Sequence, residues 1–279
     1  MNATIHDALR AAATEVVSVA DGRWTFAIAN GAMTPCQAHV EDDWLVLTAA
    51  PFWPVRDALP SEWTMLAWNA RFAGGVRFFA GVGAPLPALR AEIALGEADL
   101  DRRVGLTCDG FVMATSCLHG GGANASPDAV DLADDGALAA LCRETRWTVK
   151  EHGAGALTVD LEVPGAFHQA LVAPRAGGRV SVSVPVFETT MARPEPASAV
   201  CRQALGVFLV RMCGVLRMVR AAAESAAGWA PRFEIVHAEP SAGALSHGFA
   251  ALSIACRLAV HEAAVLWHDD AVARAYIGQ

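Results

Sequence analysis

The chain has 279 residues, 54% of them apolar, and a formal net charge of −8. That length suits one large domain or two of ordinary size. An excess of carboxylates repels a phosphate backbone, so the charge argues against a nucleic-acid partner.

Mean hydropathy is +0.33. Much of this is alanine, which buries little surface per residue; the rest calls for large cores or for apolar surface covered by a partner. The most apolar helical stretch, 200–223, carries Arg202, Arg211, Arg217 and Arg220, so no membrane span is expected. The N-terminus, MNATIHDALRAAATEVV, lacks a basic leader region and is interrupted by Glu15. No signal peptide is expected, and the implied location is cytoplasmic. Of 21 basic residues only Lys150 is lysine, which with the abundant alanine reads as genome composition. Seven cysteines, an odd number and never spaced C-x-x-C, read as small buried hydrophobes outside any disulfide framework.

In chain order, Ile5, Leu9, Ala12 and Val16 fall at helical spacing and predict a helix over 4–19, with Thr4 as its N-cap. RWTFAIA (23–29), CQAHVE (36–41) and DWLVLTA (43–49) predict an antiparallel meander, turning at Asn30–Gly31 and at Glu41–Asp43. A helix over 61–73 follows, capped by Ser61, with Met65, Trp68 and Phe72 as one covering stripe. VRFFAGV (76–82) and LPALRAEIAL (86–95) form a strand pair, and a helix over 97–117, acidic at its start, closes the half.

HGGGANASPD (119–128) has the composition of a flexible connection. His119 with Gly120–Gly122 also spells an oxyanion-hole motif, but no G-x-S-x-G nucleophile turn occurs in the chain to use it. A hinge is the better reading. Beyond it a short helix (134–145) precedes RWTVKE (146–151), which repeats Arg23–Thr25. ALTVDLEV, AFHQALVA and GRVSVSVPV are strands divided by Pro164–Gly165 and Gly177–Gly178. A long helix is expected over 196–226 with Leu205, Phe208, Met212, Val215 and Val219 as its stripe. RFEIVHAE (232–239), a strand echoing VRFFAGV, and a helical C-terminus complete the chain. The two halves therefore carry nearly the same order of elements, as a degenerate duplication would.

Candidate chemistry is sparse. His261 and His268 are seven residues apart, two helical turns, whereas zinc hydrolases need histidines four apart. No phosphate-binding or dinucleotide motif occurs. No catalytic residue, metal or cofactor is assigned. Arg202, Arg217 and Arg220 fall within about 60° on the expected long helix and form a basic stripe suited to an acidic peptide or partner helix. Phe52 and Trp53, between prolines, offer a docking surface or a cap for the core.

WTMLAWNARFAGGVRFFAGVGAPLPALRAEIALGEADLDRRV (63–104) resembles the corresponding part of the type III secretion chaperone-like superfamily, including the YbjN-like proteins. Trp68–Phe72, LRAEIAL and DLDRRV carry the likeness, and the second half resembles a more divergent copy. The resemblance implies an α+β fold of two tandem modules, each an antiparallel sheet flanked by helices. The first module would span 1–119 and the second 134–279, joined by a Gly/Ala/Asp-rich linker at 120–133. It also implies a non-enzymatic protein or peptide binder, the two modules forming an internal pseudo-dimer. A homodimer is compatible with it. A hydrolase with an unidentified nucleophile and a self-association module are the rival readings.

Overall fold

The computed structural model describes residues 1–30, 32–50, 59–81, 87–96, 99–118, 135–151, 157–163, 166–175, 178–187, 198–224, 230–237 and 240–278. The expected linker, HGGG, the Asn30–Gly31 turn, Pro164–Gly165 and the Phe52–Trp53 pair lie wholly or partly outside these residues. The chain is α+β and divides into two compact units, Met1–Ser61 with Arg71–Ala125, and Glu62–Ala70 with Ser126–Gln279.

The first unit begins with α1 (Asn2–Ala12) and β1 (Thr14–Ala20). The helix expected over 4–19 thus stops early, and Met1 is its N-cap position, not Thr4. The reason is local: Thr14, Val16, Val17 and Val19 are β-branched, stiff at χ1, and pack better on a pleated surface than on a helix. Next come β2 (Arg23–Asn30), β3 (Ala32–Glu41) and β4 (Trp44–Ala49), the expected meander. After β4 the chain forms α2 (Glu62–Asn69), then β5 (Arg77–Phe79), β6 (Ala88–Ala94) and α3 (Leu100–Leu118). The sheet order is β1-β2-β3-β4-β6-β5, with every pair antiparallel.

Strand alternation sorts this sheet into two faces. Phe26, Cys36, Ala49 and Leu89 are register neighbours across four strands, as are Ala38, Leu47 and Ala91, and all are buried. Ile5 and Leu9 of α1 and Val104 and Phe111 of α3 are buried with them. Two glycines permit the close approach of α3. Gly74 adopts φ 61°, and a Cβ there would lie 2.6 Å from the Thr107 backbone; one on Gly110 would lie 2.4 Å from the Ala73 carbonyl oxygen.

The second unit contains α4 (Asp135–Arg143), β7 (Val149–Glu151), β8 (Leu157–Val163), β9 (Ala166–Arg175) and β10 (Arg179–Pro185). It continues with α5 (Ala199–Val215), β11 (Arg220–Ala222), β12 (Arg232–His237), α6 (Ala242–His268) and α7 (Asp270–Ile277). Its sheet runs β7-β8-β9-β10-β12-β11, again antiparallel throughout. Strand for strand, this is the order of the first sheet.

Three expectations need correction. The helix over 196–226 ends at Val215: Leu216 is extended, Met218 turns through φ 64°, and the rest is β11. Val215 is 69% exposed and leaves the stripe, whereas Leu205, Phe208, Met212 and Val219 are buried. RWTVKE leads into β7, the partner in order of β1, so its likeness to Arg23–Thr25 is not a repeat equivalence. VRFFAGV likewise matches β11 by topology, and RFEIVHAE matches β6.

The third correction concerns α2, which packs within the second unit. Trp63 Nε1 donates to the Arg202 carbonyl at 3.0 Å, and Asn69 Nδ2 to the Ala221 carbonyl at 3.1 Å. The Ala223 amide donates to the Leu66 carbonyl at 3.1 Å. Backbone groups at and beside the edge strand β11 are thereby satisfied by α2. Met65 is buried and Trp68 half-buried, while Phe72 stands edge-on to Phe78 in the first unit, 5.6 Å between centroids. The expected stripe is divided between the two units because the helix ends at Asn69.

The most apolar helix is α6, not 200–223. Its mean hydropathy reaches 1.6, and among the described residues it alone is long and apolar enough to cross a membrane by length and composition. Phe249, Leu252, Cys256 and Ala259 are buried in the second unit, and Phe249 meets Trp147 edge-on at 5.9 Å.

Candidate functional site

Each sheet turns one face to its helices. The opposite face carries a polar row built by strand register. In the first unit Thr25, Gln37, Thr48, Arg90 and Arg77 are successive neighbours across β2, β3, β4, β6 and β5. In the second, Thr158, Ser183, Glu234 and Arg220 hold the corresponding places across β8, β10, β12 and β11, with the apolar Leu171 interrupting the row on β9.

Each row ends in a buried ion pair. Arg77 meets Glu92 through two hydrogen bonds of 2.7 and 2.8 Å, both side chains fully buried, and Arg90 Nε adds a third to Glu92 at 2.5 Å. In the second unit Arg220 donates to Glu234 Oε2 from Nε at 3.2 Å and Nη2 at 3.0 Å, and Arg175 donates to Oε1 at 3.0 Å. Burial alone would raise both glutamate pKa values. The arginines outweigh it: Arg77 and Arg90 hold Glu92, and Arg220, Arg232 and Arg175 hold Glu234, below the usual carboxylate range.

The sequence also carries a repeat at the level of single residues. Val76–Arg77 and Val219–Arg220 match, as do Arg90-x-Glu92–Ile93 and Arg232-x-Glu234–Ile235. The two copies differ in register. Thr48 faces Arg90, but its counterpart Ser183 faces Glu234, so β12 is shifted by two residues relative to β6. A two-residue shift keeps each side chain on its face.

Both faces bear a cavity at the same end of the sheet. The first, ≈ 610 Å³, is lined by β1–β6 residues including Thr25, Ala27, Met33, Pro35, Gln37 and Thr48. Met33 is 50% exposed, and Val17 and Val19 of the neighbouring edge strand β1 are more than half exposed. The second, ≈ 330 Å³, has Thr158, Gln169, Leu171, Ser183 and Arg232 on its walls. The larger is a mainly apolar groove open to solvent, a shape for an extended segment.

The basic stripe expected from Arg202, Arg217 and Arg220 does not form. Arg202 lies on α5 with its guanidinium 5.4 Å from the Trp63 ring centroid. Arg217 is in the bend after the helix, and Arg220, 3% exposed, is in β11. The stripe presumed a helix that ends before two of its members. Phe52 and Trp53 lie outside the described residues. Among those residues no three His, Cys, Asp or Glu side chains gather as metal ligands. All seven cysteines are buried and free, and burial pushes the Cys36, Cys108 and Cys256 thiols up to about 12. Those three thiols stay protonated near neutrality and are poor nucleophiles.

No family model, curated protein or solved structure matches the chain.

Proposed function

We propose that the protein is a non-enzymatic, tandem chaperone-like binder of a protein or peptide segment, of the type III secretion chaperone-like kind. The observation that carries this reading is the repetition of one topology: a helix, a four-stranded meander, a helix, two strands and a closing helix occur twice in the same sheet order. The resemblance drawn from residues 63–104 concerns the middle of that order. The apolar groove on the first sheet, rimmed by Met33 and Pro35 and bordered by β1, is the surface we assign to the segment.

Affinity capture from the native host tests it, comparing the wild type with Met33→Asp at matched thermal stability. A discrete protein retained by the wild type and lost with the variant supports the reading. Equal retention by both, or acyl-ester turnover abolished by His119→Ala, overturns it.

Self-association has an observation of its own. Ile254 and Leu258, one turn apart on α6, are 52% and 56% exposed. If they hold two copies together, Leu258→Glu converts an oligomer to a monomer in light scattering; a monomeric wild type removes this reading.

A further inference from the structure

The shift of β12 has a chemical consequence. In the first unit Arg90 is engaged with Glu92. Its counterpart by the Arg-x-Glu-Ile repeat is Arg232, and the shift places Glu234 opposite Arg220, leaving Arg232 two residues behind. Arg232 Nη2 is 4.0 Å from Glu234 Oε2, an ion pair too long for a hydrogen bond. Arg175 has meanwhile entered the cluster from β9, its Nε donating to Ser181 Oγ at 2.9 Å and its Nη2 to Glu234.

Three guanidiniums therefore surround one carboxylate. Arginine stays protonated at any working pH, so Arg175, Arg220 and Arg232 bring more positive charge to Glu234 than that one carboxylate balances. Glu224, exposed on the rim of the adjoining cavity, offsets one of these at most. In the first unit two arginines share Glu92, and both donate hydrogen bonds to it. The surplus in the second unit is not dispersed into solvent. Arg220 is buried, and the Arg175 and Arg232 side chains are only 28% and 22% exposed. Arg232 lines the ≈ 330 Å³ cavity, whose walls also hold Thr158, His168, Gln169 and Ser183.

We propose that this cavity binds one small oxyanion, a carboxylate or phosphate group, with Arg232 as its principal charged donor and Ser183 as its neutral partner, the Gln169 amide being held by Asp160 at 2.8 Å. A planar fork of guanidinium donors fits two oxygens of such a group. The bound charge would also relieve the repulsion among the three arginines. The site does not depend on the peptide-binding reading, because inorganic phosphate would fill it with no partner protein present.

Calorimetric titration of the full chain with inorganic phosphate, acetate and a hexaglutamate peptide tests the proposal. The comparison uses wild type, Arg232→Gln, Arg232→Lys and, as an exposed control on α6, Arg257→Gln. Saturable binding of at least one probe should weaken by about tenfold or more in Arg232→Gln. It should weaken less in Arg232→Lys, which keeps the charge without the fork, and be unchanged in Arg257→Gln. Phosphate or acetate binding identifies a free anion as ligand, whereas binding of the peptide alone identifies an acidic side chain. No saturable binding of any probe, or binding insensitive to Arg232→Gln in a chain that melts like the wild type, overturns the proposal.

Discussion

Arg77 with Glu92, and Arg220 with Glu234, hold charge in the interior of each unit. Removing Glu234 strands the buried Arg220 without its counter-charge, so Glu234→Ala should destabilise the second unit by about 3–5 kcal/mol, whereas Arg220→Ala should cost less because Arg175 still donates to Glu234. Chemical denaturation measures this, and a loss below about 1 kcal/mol would show the pair to be solvated. The same glutamates set an acid limb. Their folded pKa values lie below the unfolded value, so the folded state binds fewer protons and the stabilisation is complete above the unfolded pKa. It is lost as pH falls through the depressed folded values. Melting temperature should therefore drop steeply below about pH 4, and less steeply in a Glu92→Gln, Glu234→Gln double variant compared with its own neutral-pH value. Gly110→Ala should cost about 1–3 kcal/mol, because its new methyl would stand 2.4 Å from the Ala73 carbonyl oxygen. Of these residues the sequence marks out only Arg220, and it does so as part of a basic helical stripe, not as half of a buried ion pair. A charged residue reads as surface unless its partner across the sheet is known, and that partner is set by register.

At the scale of elements, amphipathic spacing predicted the meander of β2–β4, the β5–β6 pair, and β8–β10 and β12 of the second half, because each has one buried face. It failed where two tendencies met. Val16 fits a helical stripe, but the β-branched run Val16–Val17 belongs to an edge strand. Val219 fits the α5 stripe and is buried, yet it lies beyond Met218, the left-handed residue that ends any helix there. Periodicity reports burial and not which element buries. It is also silent on the partner, so spacing alone gives α2 to the sheet nearest in sequence. Its Asn69 and Trp63 hydrogen bonds instead complete the second unit. Asn69→Ala should accordingly accelerate hydrogen exchange in β11 and the C-terminal turn of α5 while leaving β2 and β3 protected. Faster exchange confined to β2–β4 would reverse the assignment.

The whole molecule uses one topology twice, and the first copy carries an apolar groove on the sheet face opposite its helices. The duplication is legible in the order of elements, although the sequence pairs the strands of the two copies one place out, because β1 and β11 both fall within predicted helices. The groove was not legible, since Thr25, Gln37 and Thr48 converge only after three strands are set in register. The central claim is that this groove receives a segment of another protein. Site-specific photo-crosslinking in native-host extract tests it most directly, with the reactive group placed at position 33 and, separately, at position 257 on exposed α6. The account predicts one discrete protein adduct from position 33, mapping to a single segment of its partner, and none of that species from position 257. No adduct from position 33, or the same adducts from both positions, would contradict it.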